Sequence, residues 1–499
     1  MQFGVSECLK HWGKYRKDHI AVVANGEKYS YSYLDDLVDQ IVLGIEANEV
    51  LGDRIAIALS SKLNYLVTLI ATLRLGKSVV VLNPGLPDNV VGINISDARV
   101  KTLIYDDVNE GLCSNLESGV AVSYHINDLI KKGTILKKKD EFDLVDKRPN
   151  DEWGILFSSG STGVPKPIER SHYSIVTELL GWVIELSLTQ STKFYVGRPL
   201  YYTGGLVLAL STLIVSGTII IDDVEDIHET WMRFISATNN WKITWAFFIP
   251  EQIRAFMDSA QGGKKKIDSP KNILVMGSPI SGEEKRQAQD TFKSTIVESW
   301  GNSESLGTIT GPEDIDIRPG SIGRPFLSDV MSIVDEDGKP LQAFEKGLIA
   351  GSAEAGFSGY TNRPEETNYT LRNQMIISDD VGYFDDDGYF FIEGRSQDYI
   401  LLSNGISISL LEIETKIREI KIIKECCLLS KGSEGTPVLI HAAIVLHDGH
   451  DLGADELMKE INKELSEPHQ IHEISIFSEF PYLPSGKIDK QTIKDDLNQ

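Results

Sequence analysis

The sequence predicts an α/β protein with a large N-terminal domain of α/β sheet layers and a small, mobile α+β C-terminal domain. Along most of the chain, short apolar runs that read as buried strands alternate with segments of helical periodicity. That alternation implies βαβ units and a largely parallel sheet. The texture then changes near Gly394-Arg395, beyond which the chain has its own apolar runs. A length of 499 residues gives room for two or three domains with a sizeable core in the largest. The expected division is residues 1–394, a hinge at 395–398, and a lid domain at 399–499.

The elements follow in order. Arg54–Ser60 (RIAIALS) is a short apolar run of the kind that forms a buried strand, and Leu63, Leu66, Val67, Ile70 and Leu73 then recur at helical spacing. SVVVLNP, ending at Asn83-Pro84, and TLIY at Thr102–Tyr105 are the next strands. Lys131–Asp151 is rich in Lys, Asp and Glu and reads as a surface connection, because it has little apolar content to bury. Strands resume at Thr218–Ile221, Ile243–Phe248, Asn272–Met276 and Thr295–Ser299. In the last hundred residues KECCLLS and TPVLIHAAIVLH supply a small core.

Composition narrows the function classes. A net charge of -24 argues against nucleic acid and anionic membrane as main partners, since both select Lys/Arg-rich surfaces. It does not oppose a small polyanionic substrate, which needs only a local positive site. No run of eighteen apolar residues occurs, so no integral membrane association is expected. The start, MQFGVSECLKHWGKYRKDHIAV, has no long apolar run before its charges and reads as no secretory leader. The cysteines Cys8, Cys113, Cys426 and Cys427 are too few and scattered for a disulfide framework or a zinc site. Cys426-Cys427 reads as a buried strand segment, and the expected compartment is the reducing cytoplasm.

The most informative segment is Ile155–His172, ILFSSGSTGVPKPIERSH. An apolar strand leads into Ser159, Gly160, Ser161, Thr162 and Gly163, with Lys166 beyond. Glycines let a loop wrap an anion closely, successive backbone N–H groups can point into the concavity, and hydroxyls add donors. With the lysine charge this makes a cradle for a triphosphate. It is not the Walker A loop, which needs Gly-Lys-[Ser/Thr] opening a helix. Here Pro165 precedes the lysine and disfavours a helix start.

This segment resembles the signature loop of the adenylate-forming enzymes, a family that includes acyl- and aryl-CoA synthetases, peptide-synthetase adenylation domains and luciferases. It matches from Ser159 to Lys166, has Pro167 where Gly is usual, and rejoins at Ser171-His172. Further motifs follow in order. Tyr31-Ser32-Tyr33-Leu34 and Arg74-Leu75-Gly76 with Asn83-Pro84 precede the loop. Pro199–Leu206 follows it, with Tyr202 at the usual histidine, then Met276-Gly277-Ser278-Pro279, Trp300-Gly301-Asn302-Ser303-Glu304 and Ser321–Pro325. Ser378-Asp379-Asp380, Gly394-Arg395, Leu411-Glu412-Ile413-Glu414 and Pro484-Ser485-Gly486-Lys487 complete the series.

The resemblance implies ATP-dependent activation of a small carboxylic acid to an acyl-adenylate, then transfer to a thiol. It makes Lys487, Glu304 and Thr162 the catalytic set, with Glu304 holding Mg²⁺. The nucleotide then falls to Ser159, Gly160, Ser161, Gly163, Lys166, Gly277, Ser278, Trp300, Gly301, Asp380 and Arg395. These roles suit the chemistry. A carboxylate attacking a phosphate brings two anions together, so catalysis rests on positioning and charge stabilisation. Mg²⁺ favours a carboxylate plus phosphate oxygens. Asp380 can accept hydrogen bonds from both ribose hydroxyls, and Arg395 can donate to ribose or phosphate. The acidic run Asp385-Asp386-Asp387 reads instead as a solvated hairpin.

Amino-acid-activating relatives carry an aspartate near the acyl pocket, but GRPLYYTGGLVLALS has no carboxylate. A buried ammonium would lack a partner, so an uncharged acyl or aryl acid is expected. Tyr202, Phe247 and Gly301 are the expected pocket walls, from a set of aromatics that also includes Trp245, Phe248 and Trp300. The acceptor is coenzyme A or the phosphopantetheine of an acyl carrier protein, which present the same thiol. At the hinge, Gly394-Arg395-Ser396-Gln397-Asp398 runs one residue longer than usual, so either Gln397 or Asp398 takes the hinge position, and Leu401 stands at a usual lysine. The other classes open to this scaffold are a luciferase-like oxidative enzyme and a degenerate nucleotide-binding protein.

Overall fold

The computed structural model describes residues 4–115, 120–136, 148–158, 165–261, 270–352, 356–401, 407–431, 439–447, 449–450, 452–465, 467, 469–483 and 488–497. The chain divides into two compact units, Met1–Met331 with Gly351–Ile376, and Ser332–Ala350 with Ile377–Gln499. The strand Phe390–Arg395, where the sequence reading sets its boundary, lies in the second unit.

Two sheets build the first unit. One runs Gly359–Tyr360, Pro167–Ser171, Glu152–Phe157, Ser78–Val81, Arg54–Ala58, Thr102–Tyr105 and Val122–His125. Its inner pairs are parallel, and it turns antiparallel where Glu152–Phe157 meets Pro167–Ser171. The other sheet has nine strands, with Thr295–Gly301, Asn272–Val275, Trp245–Phe248, Lys193–Val196, Thr218–Ile221 and Ile20–Ala24 parallel at its centre. Each strand named in the sequence reading of this unit is present, because a strand buried on both faces is a continuous apolar run. The helix Lys62–Arg74 carries the expected periodic leucines and is buried along its whole length.

One expectation is corrected. The polar stretch Lys131–Asp151 was read as a connection, yet its first residues belong to the helix Ile126–Leu136. This helix packs backbone to backbone on Tyr31–Glu46. A Cβ on Gly133 would lie 1.8 Å from Gln40 O, and one on Gly44 would lie 2.1 Å from Leu129 O. Two glycines therefore do what a wide apolar stripe would otherwise do. Gly133→Ala must separate the helices and is expected to destabilise the protein by about 1–3 kcal/mol, read as a lowered Tm. An unchanged Tm would reject the close crossing.

Met331–Val334, Gly347–Ser352, Met375–Phe384 and Phe390–Arg395, most of whose residues belong to the second unit, follow one another in one sheet. The hairpin joining Met375–Phe384 to Phe390–Arg395 corrects a second expectation. Asp386 and Asp387 are exposed, but Asp385 is buried, and its Oδ1 accepts from the N–H groups of Asp387 and Tyr389 at 3.0 and 2.9 Å. A short carboxylate that closes its own turn is held by those donors rather than by water.

A three-stranded sheet, Ile423–Lys431, Leu439–Leu446 and Glu473–Phe477, follows, with Leu410–Arg418 and Ala454–Glu464 packed over one face. Cys426 and Cys427 are buried on opposite faces of it, and burial pushes both thiols up. Glu414, the last residue of a predicted motif, is buried beneath. It accepts from Leu428 N–H at 2.8 Å, Arg418 at 3.1 Å and Lys490 at 3.3 Å. Burial opposes its ionisation, but the Lys490 and Arg418 charges and the Leu428 N–H outweigh it, so its carboxyl titrates below the usual range.

Candidate active site

In the first unit the predicted residues gather at the carboxyl ends of the parallel strands, where open α/β sheets place their ligands. The strand Glu152–Phe157 runs into the Ser/Gly loop, and Pro167–Ser171 runs out of it. Ser158 and Lys166 close the loop's base, Ser158 N–H donating to Lys166 O at 3.1 Å and Lys166 N–H to Ser158 Oγ at 3.0 Å. A strand after Pro165 fits the expectation that no helix begins there. Ser159, Gly160, Ser161, Thr162 and Gly163 lie outside the described residues, as does Lys487.

The next group stands at the end of Thr295–Gly301. Trp300 packs against Ile168, Leu306, Phe357 and Tyr360, with Gly301 exposed beside it. The chain then turns: Asn302 N–H donates to Leu306 O at 3.1 Å, and Asn302 Oδ1 accepts from Leu306 N–H at 2.9 Å. This turn presents Glu304, half-buried, whose Oε1 accepts from the Tyr360 hydroxyl at 2.6 Å. Lys166 Nζ sits 5.2 Å from the centre of the same tyrosine ring. Burial pushes the Glu304 carboxyl up, while the Tyr360 hydroxyl and, more weakly, the Lys166 and Arg170 charges draw it down. A partly desolvated carboxylate with cations near it suits a site whose ligands are a divalent ion and phosphates.

The third group joins the second through a contact of 3.3 Å between Thr203 Oγ1 and Ser303 Oγ. Tyr202 precedes the helix Thr203–Ile214. Asn83 Nδ2 donates to its hydroxyl at 3.4 Å, and the Arg198 guanidinium lies 4.9 Å from its ring centre. Burial pushes the Tyr202 phenol up to about 12 against the pull of Arg198, so it stays protonated at neutral pH and cannot act as a base. Phe247 is buried where Gly204 makes room for it. A Cβ there would lie 2.6 Å from Met276 Cε and 3.3 Å from Phe247 Cζ. The Met276-Gly277-Ser278-Pro279 turn follows, Gly277 adopting φ +115°. Ser278 Oγ is buried and has no hydrogen-bond partner among the described residues. A buried hydroxyl is costly unless water or a ligand meets it. Of the other aromatics, Phe248 belongs to the core and Trp245 stacks on Phe194, 6.3 Å between centres.

Asp380 and Arg395 lie in the second unit as direct partners on the antiparallel pair Met375–Phe384 and Phe390–Arg395. Arg395 Nε stands 3.6 Å from Asp380 Oδ1, and Ser378 Oγ accepts from Asp380 N–H at 3.1 Å. The structure thus places Lys166, Tyr202, Phe247, Gly277, Ser278, Trp300, Gly301 and Glu304 in the first unit, and Asp380 with Arg395 in the second. Sequence reasoning missed Tyr360, Arg170 and Arg198. Tyr360 sits in a two-residue strand, too short to carry a pattern. Reading GRPLYYTGG alone also missed Glu225, which accepts from the Tyr201 hydroxyl at 2.6 Å.

Comparisons with known proteins bear on the family and the fold. A family model described as AMP-binding enzyme matches residues 9–361. The chain is 26% identical over 482 residues to a rat (Rattus norvegicus) mitochondrial acyl-coenzyme A synthetase, ACSM3, covering 89% of this chain and 79% of that one. It is 25% identical over 479 residues to a feruloyl-CoA synthase of an Amycolatopsis species, covering 95% of each. Its fold matches ATP-bound MatB from Rhodopseudomonas palustris with a TM-score of 0.89 at 21% identity, over 100% of this chain and 99% of that one.

Proposed function

The chain belongs to the AMP-binding enzyme family, and from that premise we propose that it is an AMP-forming acid–thiol ligase. It condenses a carboxylic acid with ATP to an acyl-adenylate, releases pyrophosphate, and passes the acyl group to the thiol of coenzyme A. The observation that carries this reading is the grouping of Glu304, Tyr360, Lys166 and Trp300, together with a buried Ser278 Oγ that has no hydrogen-bond partner among the described residues. The synthetases to which the chain is similar are named for coenzyme A.

The residues divide the work. Lys166 faces the phosphates that the loop base at Ser158 and Lys166 opens toward. The Ser278 hydroxyl and the turn at Gly277 receive the adenine end. Asp380 accepts from the ribose hydroxyls, releasing its ion pair with Arg395 as it does so. Glu304 is the carboxylate for Mg²⁺, which when bound screens phosphate charge; its oxygen chemistry and raised carboxyl fit that ion. Tyr202 and Phe247, with Gly301, wall the acyl pocket. A neutral phenol beside an apolar ring favours an uncharged acid, an aromatic or medium-length acyl chain. Residues 399–499 carry Lys487 and move about the 395–398 hinge. We place the enzyme in a reducing, cytoplasmic compartment, on the free thiols of Cys8, Cys426 and Cys427. No helix among the described residues is long and apolar enough to cross a membrane.

Exchange of labelled pyrophosphate into ATP across a panel of carboxylic acids tests the reading, followed by thioester formation on adding coenzyme A. Exchange that depends on an aryl or acyl acid, without oxygen uptake, is the expected result. Oxygen consumption, or no exchange with any acid, would reject it. Asp380→Ala is expected to weaken ATP binding about ten- to a hundredfold, from about 1.5–3 kcal/mol for a hydrogen bond to a charged group. Calorimetric titration with ATP checks it, and an unchanged Kd removes Asp380 from the site.

A further inference from the structure

Arg170 is the bulkiest of the fully buried side chains among the described residues, only 1% exposed. A guanidinium taken out of water needs partners on every side. Its Nη2 donates to Glu178 at 2.8 Å and its Nε to Ser174 Oγ at 2.9 Å, both on the helix His172–Glu185. Its Nη1 crosses to the other sheet and donates to the backbone carbonyl of Ser303 at 3.3 Å. Ser303 immediately precedes Glu304 in the turn between Thr295–Gly301 and Gly307–Ile309.

That turn is held from several sides. Gly307 N–H donates to Asp329 Oδ2 at 2.9 Å, and Phe357 N–H donates to Glu304 O at 3.2 Å. Inside it Ser305 adopts φ +84°, a conformation that side-chain-bearing residues avoid. A turn with such a residue keeps its shape only where its surroundings impose it. Of these hydrogen bonds, the one from Arg170 comes from a side chain of the strand leaving the phosphate loop, four residues beyond Lys166.

We infer that Arg170 is a positioning residue for Glu304: its fork fixes the Ser303 carbonyl and so aims the adjoining carboxylate at the metal and phosphates. The inference rests on the proposed reading of Glu304. A guanidinium reaches Glu178 and Ser303 at once because its donors point apart. A lysine in its place gathers its three donors on one nitrogen, which cannot stand at both the Nη1 and the Nη2 positions. Groups that orient a ligating carboxylate typically contribute ten- to a hundredfold in metal affinity.

The test measures ATP binding by calorimetry across a Mg²⁺ series, with no carboxylic acid present, for wild type, Arg170→Lys, Arg170→Gln and Glu178→Gln. Both Arg170 variants are expected to need about tenfold more Mg²⁺ for half-maximal ATP binding. Glu178→Gln keeps the bond to Ser303 and is expected to lower Tm while retaining the wild-type Mg²⁺ requirement. Should Arg170→Gln fail to fold, Arg170→Lys carries the test, since it preserves the charge and the pairing with Glu178. A wild type that needs Mg²⁺ beside an Arg170→Lys variant with the same requirement overturns the inference alone. An equal rise in Glu178→Gln overturns it too, since that is the mark of a structural role. A wild type that binds ATP without regard to Mg²⁺ overturns the reading of Glu304 itself.

Discussion

Replacing Lys487 by Ala is expected to slow acyl-adenylate formation about a thousandfold, roughly 4 kcal/mol of transition-state stabilisation. The expectation comes from the Pro484–Lys487 motif, which lies outside the described residues, and from charge. In the first half-reaction two anions, the carboxylate and the α-phosphate, must meet, and the lysine ammonium is the cation proposed to offset both. In the second half-reaction the acyl group leaves for a neutral or thiolate sulfur, and the ammonium has no such task. Thiol transfer from a supplied acyl-adenylate should therefore change little. Single-turnover assays of the two halves check this. Equal slowing of both, or of neither, would reject a mechanism in which the second unit presents this lysine for one half only.

Glu304→Ala is expected to slow adenylation about a hundred- to a thousandfold, the usual cost of removing one group that stabilises developing charge. It should also raise the Mg²⁺ requirement, which Lys487→Ala should leave alone, so the two losses can be told apart by titration. Tyr360→Phe supplies a finer readout. The Tyr360 hydroxyl draws the Glu304 carboxyl down against the upward push of burial. Without it that carboxyl takes up its proton at higher pH. The ionised form is the one that holds a cation, so the acid limb of the adenylation rate profile should move to higher pH. An unmoved limb would show that Glu304 does not set it.

The parts of the molecule legible in the sequence are those that a short window can express. RIAIALS, TIII and NILVM are strands because a strand covered on both faces is apolar at every position, and that pattern is local. The Ser/Gly loop is legible because its chemistry sits in consecutive residues. The pairs that complete the site are not local. Tyr360 meets Glu304 across 56 residues, and Arg170 meets Ser303 across 133; the motifs that hold Arg170, Ser303 and Glu304 are legible, but nothing local in them names the distant partner. The end of the helix Ile126–Leu136, from Lys131 on, reads as a connection for a related reason. What seats it is absence of side chains at Gly44 and Gly133, and a count of apolar residues gives a glycine no credit for close approach. Asp385 was read as solvated because its acidic neighbours are; its burial is made by a tight turn whose donors are backbone groups, which every sequence has.

The division of the chain has a consequence for how the protein is made. The strands Met331–Val334 and Gly347–Ser352 leave the ribosome before Met375–Phe384, the strand that lies between Gly347–Ser352 and Phe390–Arg395 in the finished sheet. At the usual speed of synthesis they wait roughly two to six seconds for that partner, with one edge unpaired and open to pairing with another nascent chain. The chain meanwhile returns to the first unit for Gly351–Ile376. A gene fragment starting at residue 377 encodes neither of those early strands. Isolated production of the second unit is therefore best begun at residue 332 with the intervening segment bypassed.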